Sequence, residues 1–141
     1  MIEKLKKKNI EKAAKVYIKG LSMEKPKGYA TLKETINDLG KLNCFVHKSK
    51  GKINGLITFK KIKNKAILNF ICSLKLRRGI GKRLMKRVIK YSIKNNINYI
   101  YSRVSSKDKR VLKFYDSLGF KKYGEQNKNN LLLYKIKLKL K

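Results

Sequence analysis

Apolar residues change their spacing several times along the chain, and each change marks an element. Residues 1–6 read as a short strand, with Ile2 and Leu5 the apolar positions. Beyond Asn9, residues Ile10, Ala13, Ala14, Tyr17, Ile18 and Leu21 recur at helical spacing, with Asn9 placed as the N-cap. Residues 22–30 hold the only proline, Pro26, together with Gly28, and read as a loop. Thr31-Leu32-Lys33-Glu34 matches a capping box, which opens a short helix carrying Leu32, Ile36 and Leu39 inward and stopping at Gly40. Leu42–His47, Lys52–Lys60 and Lys65–Cys72 then read as strands. Ser49-Lys50-Gly51 and Lys63-Asn64 separate them, as in an antiparallel meander.

The second half returns to helical spacing, with Ile80, Leu84, Met85, Val88, Ile89 and Ile93 on one face of a helix over 79–95. Asn98–Val104 is a strand, Lys107–Leu118 a helix closed by Gly119, and Phe120–Tyr123 a further strand. In the tail, Tyr134, Ile136, Leu138 and Leu140 alternate with Lys135, Lys137, Lys139 and Lys141. That is a strand with one dry face and one lysine face. The order β-α-α-β-β-β-α-β-α-β-β has neither repeat nor linker, so 1–141 reads as one α/β domain, a mixed sheet flanked by helices.

Charge changes this picture most. The 141 residues are 42% hydrophobic, enough for a core, yet the formal net charge is +31. An A/T-rich genome would raise Lys, Ile and Asn together, but it would raise Glu too, and Glu is scarce. A field of that sign favours anionic partners such as nucleotides, RNA or acidic lipid. No apolar run approaches the ~20 residues of a membrane span. The basic N-terminus lacks the apolar stretch of a secretion signal. With Cys44, Cys72 and a single histidine, His47, neither a disulfide scaffold nor a metal centre is expected. A cytoplasmic location is the expectation.

The richest stretch chemically is Ile71-Cys72-Ser73-Leu74-Lys75-Leu76-Arg77-Arg78-Gly79-Ile80-Gly81-Lys82. A strand runs into a basic loop, and two glycines open an amphipathic helix. The first turn of a helix presents unpaired N–H groups and a partial positive charge, which attract phosphate. Glycine lets a diphosphate approach the backbone. Arg77, Arg78, Lys82 and Arg83 add charge around that point. The plain alternative is a helix that simply starts with flexible residues; the preceding strand and the four cations favour phosphate.

This loop resembles the acetyl-CoA-binding motif Arg/Gln-x-x-Gly-x-Gly/Ala of the GNAT (GCN5-related N-acetyltransferase) superfamily, read here as Leu76-Arg77-Arg78-Gly79-Ile80-Gly81. A second stretch, Asp108-Lys109-Arg110-Val111-Leu112-Lys113-Phe114-Tyr115-Asp116-Ser117-Leu118-Gly119-Phe120, is similar to the family's Asn-x-x-Ala-x-x-Phe/Leu-Tyr-x-x-x-Gly-Phe. The resemblance spans the whole chain and implies a GNAT-type mixed, mostly antiparallel sheet. It implies acetyl-CoA as co-substrate, with Ile71 and Ser73 on the pantetheine and Leu76, Arg78, Gly79, Ile80, Gly81 and Lys82 around the diphosphate. Leu76 stands where Arg or Gln is usual, and Arg77 is placed to supply that charge. Asp108 replaces the usual Asn beside the cofactor. Tyr115 falls on the tyrosine that protonates the departing thiolate. For Phe114, Tyr115 and Phe120, core packing is the alternative.

Transfer to an amine also needs a proton acceptor, and none stands out. The strand 65–72 carries Asn69 where several relatives place Glu; Glu34, Asp38, His47 and a water chain remain open. Cys72 raises a covalent acetyl-cysteine route, although buried cysteine is more often inert packing. The leading reading is an acetyl-CoA-dependent N-acetyltransferase acting on an amine of a protein, peptide or small molecule. The alternative is a GNAT-fold protein that associates non-specifically with RNA or the ribosome through its basic surface. Against it, the lysines are spread throughout and show no interleaved aromatics of the RNA-binding strand type. Acceptor choice is expected in loops such as 21–31 and in the hairpin around Gln126–Asn130.

Overall fold

The computed structural model describes residues 1–22, 31–75, 78–126 and 131–138. The elements follow the expected order: β1 (Ile2–Lys4), α1 (Ile10–Ser22), α2 (Leu32–Leu39), β2 (Asn43–Ser49), β3 (Lys52–Ile62), β4 (Lys65–Ser73), α3 (Ile80–Lys94), β5 (Tyr99–Ser105), α4 (Lys109–Ser117), β6 (Lys121–Gln126) and β7 (Leu131–Lys137). The local signals act as their chemistry dictates. Thr31 Oγ1 accepts the Glu34 amide at 3.2 Å and so caps α2. Lys50 and Gly51 both take positive φ, 53° and 75°, and join Ser49 to Lys52 in a two-residue hairpin. Gly119, at φ 90°, follows the last turn of α4. Asn9 departs from expectation: it ends a 3-10 turn, Lys7–Asn9, that runs directly into α1.

Two compact units divide the chain. The first comprises Met1–Lys60 and Asn69–Val88, the second Lys61–Leu68 and Ile89–Lys141, so β3, β4 and α3 each contribute to both. In the first unit, hydrogen bonding runs β1-β2-β3-β4, with β1 and β3 antiparallel to β2. One face buries Cys44, Val46 and Leu56 against Ala13, Ala14 and Val16 of α1 and Leu39 of α2. Phe45 stacks with Phe59 at 6.0 Å, and the Arg87 guanidinium of α3 lies 4.7 Å from the Phe45 ring centre. In the second unit the order is β4-β5-β7-β6. The β4–β5 ladder is parallel and three residues long, Lys65–Ile67 on Tyr99–Tyr101, while β7 runs antiparallel to both β5 and β6. Ala66, Ile100, Val104, Tyr115, Phe120, Tyr134 and Leu138 are buried there. The chain is thus α/β, with seven strands mostly antiparallel and helices packed on them.

The tail strand keeps its alternation in part. Tyr134 and Leu138 are buried and Lys137 is exposed, but Lys135 is half-buried among aromatic rings. Lys139, Leu140 and Lys141 lie outside the described residues, as does most of each stretch expected to choose the acceptor.

Candidate active site

The glycine turn belongs wholly to the first unit. Ser73 folds the end of β4 into a turn, its Oγ donating to Lys75 O at 2.7 Å and accepting the Lys75 amide at 3.3 Å. The Leu74 amide donates to Asn54 O of β3 at 2.8 Å, which pins the point where the chain leaves the sheet. Leu76 and Arg77 lie outside the described residues. Gly79 takes φ +70°, a conformation costly for any side chain, and among the described residues no atom beyond its chain neighbours lies within 4 Å of where a Cβ would stand. Its carbonyl accepts the Arg83 amide at 3.0 Å, the first helical bond of α3. The Arg83 side chain folds back onto the loop, donating from Nη2 to Arg78 O at 2.6 Å and from Nε to Gly79 O at 3.4 Å.

The residues thus make a cradle: open space at Gly79, the start of α3, and the exposed cations Arg78, Lys82 and Arg83. Such a site suits a diphosphate. Ile80 is 3% exposed and anchors the turn in the core, whereas Ile71 and Ser73 are half-buried at the end of β4. They lie beyond the three residues of β4 paired with β5.

Sequence reasoning missed what seats α3. A Cβ on Gly55 of β3 would stand 2.9 Å from Ile80 Cγ2 and 3.0 Å from Cys72 O. Gly55 therefore lets the first turn of α3 descend onto the strand; an isolated glycine inside a strand pattern is the signal for such an approach. Gly20 of α1 does the same against Cys72, whose Cβ and Sγ would each lie 2.8 Å from an added Cβ.

Beside the α3 start is a pocket of about 280 Å³, lined by His47, Asn54, Lys75, Arg78 and Arg83 among others. His47 Nδ1 and Asn54 Oδ1 are 2.6 Å apart and both residues are buried. Lys48, also on the lining, pairs with Glu3 at 2.7 Å, and that hydrogen bond holds the Glu3 carboxyl below its usual range. Of the other base candidates, Glu34 and Asp38 are exposed on α2. Asn69 Nδ2 donates to Thr58 Oγ1 at 3.0 Å and to the Tyr17 hydroxyl at 3.2 Å. Cys72 is half-buried, while burial pushes the Cys44 thiol up to about 12, with Cys72 adding to the rise. Among the described residues no group of His, Cys, Asp and Glu is arranged to hold a metal.

Tyr115 belongs to the second unit. It is 4% exposed, enclosed by Phe114, Phe120 and Tyr134 with ring centres at 5.5, 5.0 and 6.1 Å. Ser102 Oγ of β5 donates to its hydroxyl at 2.9 Å, a partner with no sequence signal. A hydrogen bond received by a phenolic oxygen favours its ionised form. Asp108 caps α4, its Oδ1 accepting the Val111 amide at 3.2 Å.

The acetyltransferase (GNAT) domain family matches residues 9–140. No curated protein sequence matches the chain. Among solved structures, the ribosomal-protein-S18-alanine N-acetyltransferase of Escherichia coli is similar at 15% identity and TM-score 0.81, covering 100% of this chain and 95% of that one. A PaiA N-acetyltransferase of Thermoplasma acidophilum, in complex with coenzyme A, is similar at 19% identity and TM-score 0.82, with 97% and 98% covered. A putative acetyltransferase, YncA, of Salmonella typhimurium with acetyl-CoA is similar at 12% identity and TM-score 0.79, with 99% and 94% covered.

Proposed function

The chain belongs to the GNAT acetyltransferase family, and on that premise we propose that it transfers the acetyl group of acetyl-CoA directly to the amine of an acceptor. The observation that carries the proposal is the Gly79 turn: a backbone only glycine adopts readily, open beside the α3 N-terminus and ringed by Arg78, Lys82 and Arg83. These residues, with the backbone of Ile80 and Gly81, hold the diphosphate; Leu76 contributes its amide and Arg77 its charge. Ile71 and Ser73, beyond the ladder with β5, meet the pantetheine arm. Acetyl-CoA supplies a thioester whose carbonyl carbon is open to attack.

The chain's own groups do the rest. Backbone N–H groups near Ile71 polarise the carbonyl as an oxyanion site does. Tyr115 donates its phenolic proton to the departing sulfur, and Ser102 steadies the phenolate. Asp108 orders the first turn of α4, the helix that carries Tyr115. The attacking amine loses its proton to a water chain or to His47, which lines the pocket beside the α3 start. The +31 charge repels polycationic acceptors and so favours neutral or acidic ones.

Acetyl-CoA at a hundred times its Kd should stabilise the fold by about 2.7 kcal/mol, read as a rise in Tm. Gly81→Glu, which places a carboxylate at the diphosphate, should abolish that rise without unfolding the protein. A folded, CoA-free sample whose Tm ignores millimolar acetyl-CoA would overturn the proposal.

A further inference from the structure

The second unit has a sheet face that the acetyl-transfer chemistry does not use. Residues opposite one another in register share a face. One row across it reads Lys65, Tyr99, Lys137, and the next reads Ile67, Tyr101, Lys135, Lys121. Arg103 extends the face along β5. Tyr123, at the irregularity between Lys122 and Gly124, joins the same face, its ring centre 5.7 Å from that of Tyr101; Tyr99 and Tyr101 are 6.0 Å apart. The opposite face holds the buried Ala66, Ile100, Ser102, Val104 and Tyr134, whereas no residue of these two rows is buried. Ile67 is 40% and Tyr123 47% exposed.

From this juxtaposition we propose that the face binds a single strand of RNA, its bases stacking on Tyr99, Tyr101 and Tyr123 and its phosphates meeting Lys65, Lys121, Lys135, Lys137 and Arg103. Three observations select that occupant. The face offers aromatic rings on adjacent strands, the arrangement that stacks unpaired bases. Five cations surround the rings and neither row contains a carboxylate, so the partner is an anion. A second copy of the chain would bring another +31 charges against the same surface.

The lysines are already poised for the exchange. Lys65 Nζ lies 5.5 Å from the Tyr101 ring centre, and Lys135 Nζ lies 5.5 Å from that of Tyr99 and 5.2 Å from that of Tyr123. Such contacts at exposed sites are weaker than base–aromatic stacking. An arriving base therefore displaces the ammonium from the ring, and the freed ammonium reaches a phosphate. The proposal does not rest on the acetyltransferase reading.

The test is fluorescence anisotropy with a labelled twelve-nucleotide oligo(U) and with an RNA duplex of the same length. The single strand should bind more tightly than the duplex, and its affinity should fall about a hundredfold between 50 and 200 mM salt if five phosphates are engaged. Tyr101→Ala and Tyr123→Ala should each weaken the single strand by roughly five- to a hundredfold while leaving duplex binding and the acetyl-CoA Tm shift unchanged. Tyr101→Phe should retain binding, because the ring remains. Tyr123 is the safer truncation, since half its surface is already in water. Equal binding of duplex and single strand, or alanine variants that bind like the parent, would overturn the proposal. So would a dimer, seen by sedimentation, that the tyrosine substitutions dissolve while RNA binding stays the same.

Discussion

The proposed mechanism places its acid on one hydroxyl, that of Tyr115. Its ring makes the same edge contacts with Phe114 and Phe120 whether or not the hydroxyl is present. Tyr115→Phe should therefore leave acetyl-CoA affinity intact and lower turnover by about 10²–10⁴, the range for a positioned general acid. It should also destabilise the fold by about 1–3 kcal/mol, because Ser102 Oγ loses a buried partner. Turnover equal to the parent's, with chemistry rate-limiting, would leave the ring to packing alone. Cys44 behaves oppositely, as a thiol the fold keeps neutral. Its pKa rises from 9.0 to about 12 because it is buried, so the folded protein retains a proton that the unfolded chain releases. The stabilisation is complete below about pH 9 and is lost as pH climbs toward 12, by at most about 4 kcal/mol. Urea titrations of the parent and Cys44→Ala should converge between pH 8 and 11; parallel curves would place the thiol in solvent. Tyr115 was legible in the sequence through its motif, whereas Cys44 was only one of two cysteines with no chemistry assigned to it. Neither the Ser102 bond nor the depth of Cys44 was legible, since both are properties of neighbours distant along the chain.

Helix α3 is where local code and tertiary fit meet. Its apolar spacing, glycine start and cationic first turn were readable because each is a local property. Its depth is not local: Gly55 removes the side chain that would meet Ile80 and the Cys72 carbonyl. Gly55→Ala should push the first turn of α3 outward. We expect a loss of about 1–3 kcal/mol from overpacking, together with a weaker acetyl-CoA-induced Tm shift. A variant that loses stability but keeps the full shift would show that the turn does not depend on this seat. Asn9 makes the converse point. Its type and position suit a cap, yet a 3-10 turn takes the residue, because the chain leaving β1 continues its curl straight into α1.

Across the whole molecule, charge outweighs every other electrostatic feature. Three ion pairs, Glu11–Lys15, Glu3–Lys48 and Glu125–Lys122, are formed among the described residues against a formal charge of +31. Self-repulsion on that scale opposes folding, and salt screens it over a Debye length of about 10 Å at 0.1 M. The Tm should rise steadily as NaCl is raised from about 20 to 500 mM. A Tm that stays flat or falls would mean that the cations are too far apart, or too well hydrated, to repel.

By itself the sequence determined the element order, the hairpin turn, the Thr31 cap, the glycine start of α3 among its cations and the sign of the field. All of these depend on residues within a turn or two of one another, or on composition. The tyrosine face was not visible there. Tyr99 and Tyr101 lie in a stretch with no lysine between Lys94 and Lys107, Tyr123 follows Lys121-Lys122, and neither stretch reads as a basic face with interleaved aromatics. Pairing β4 with β5, β5 with β7 and β7 with β6 sets the rings together and turns Lys65 and Lys135 onto them. Strand register decided this, because opposite positions share a face only once distant segments hydrogen-bond.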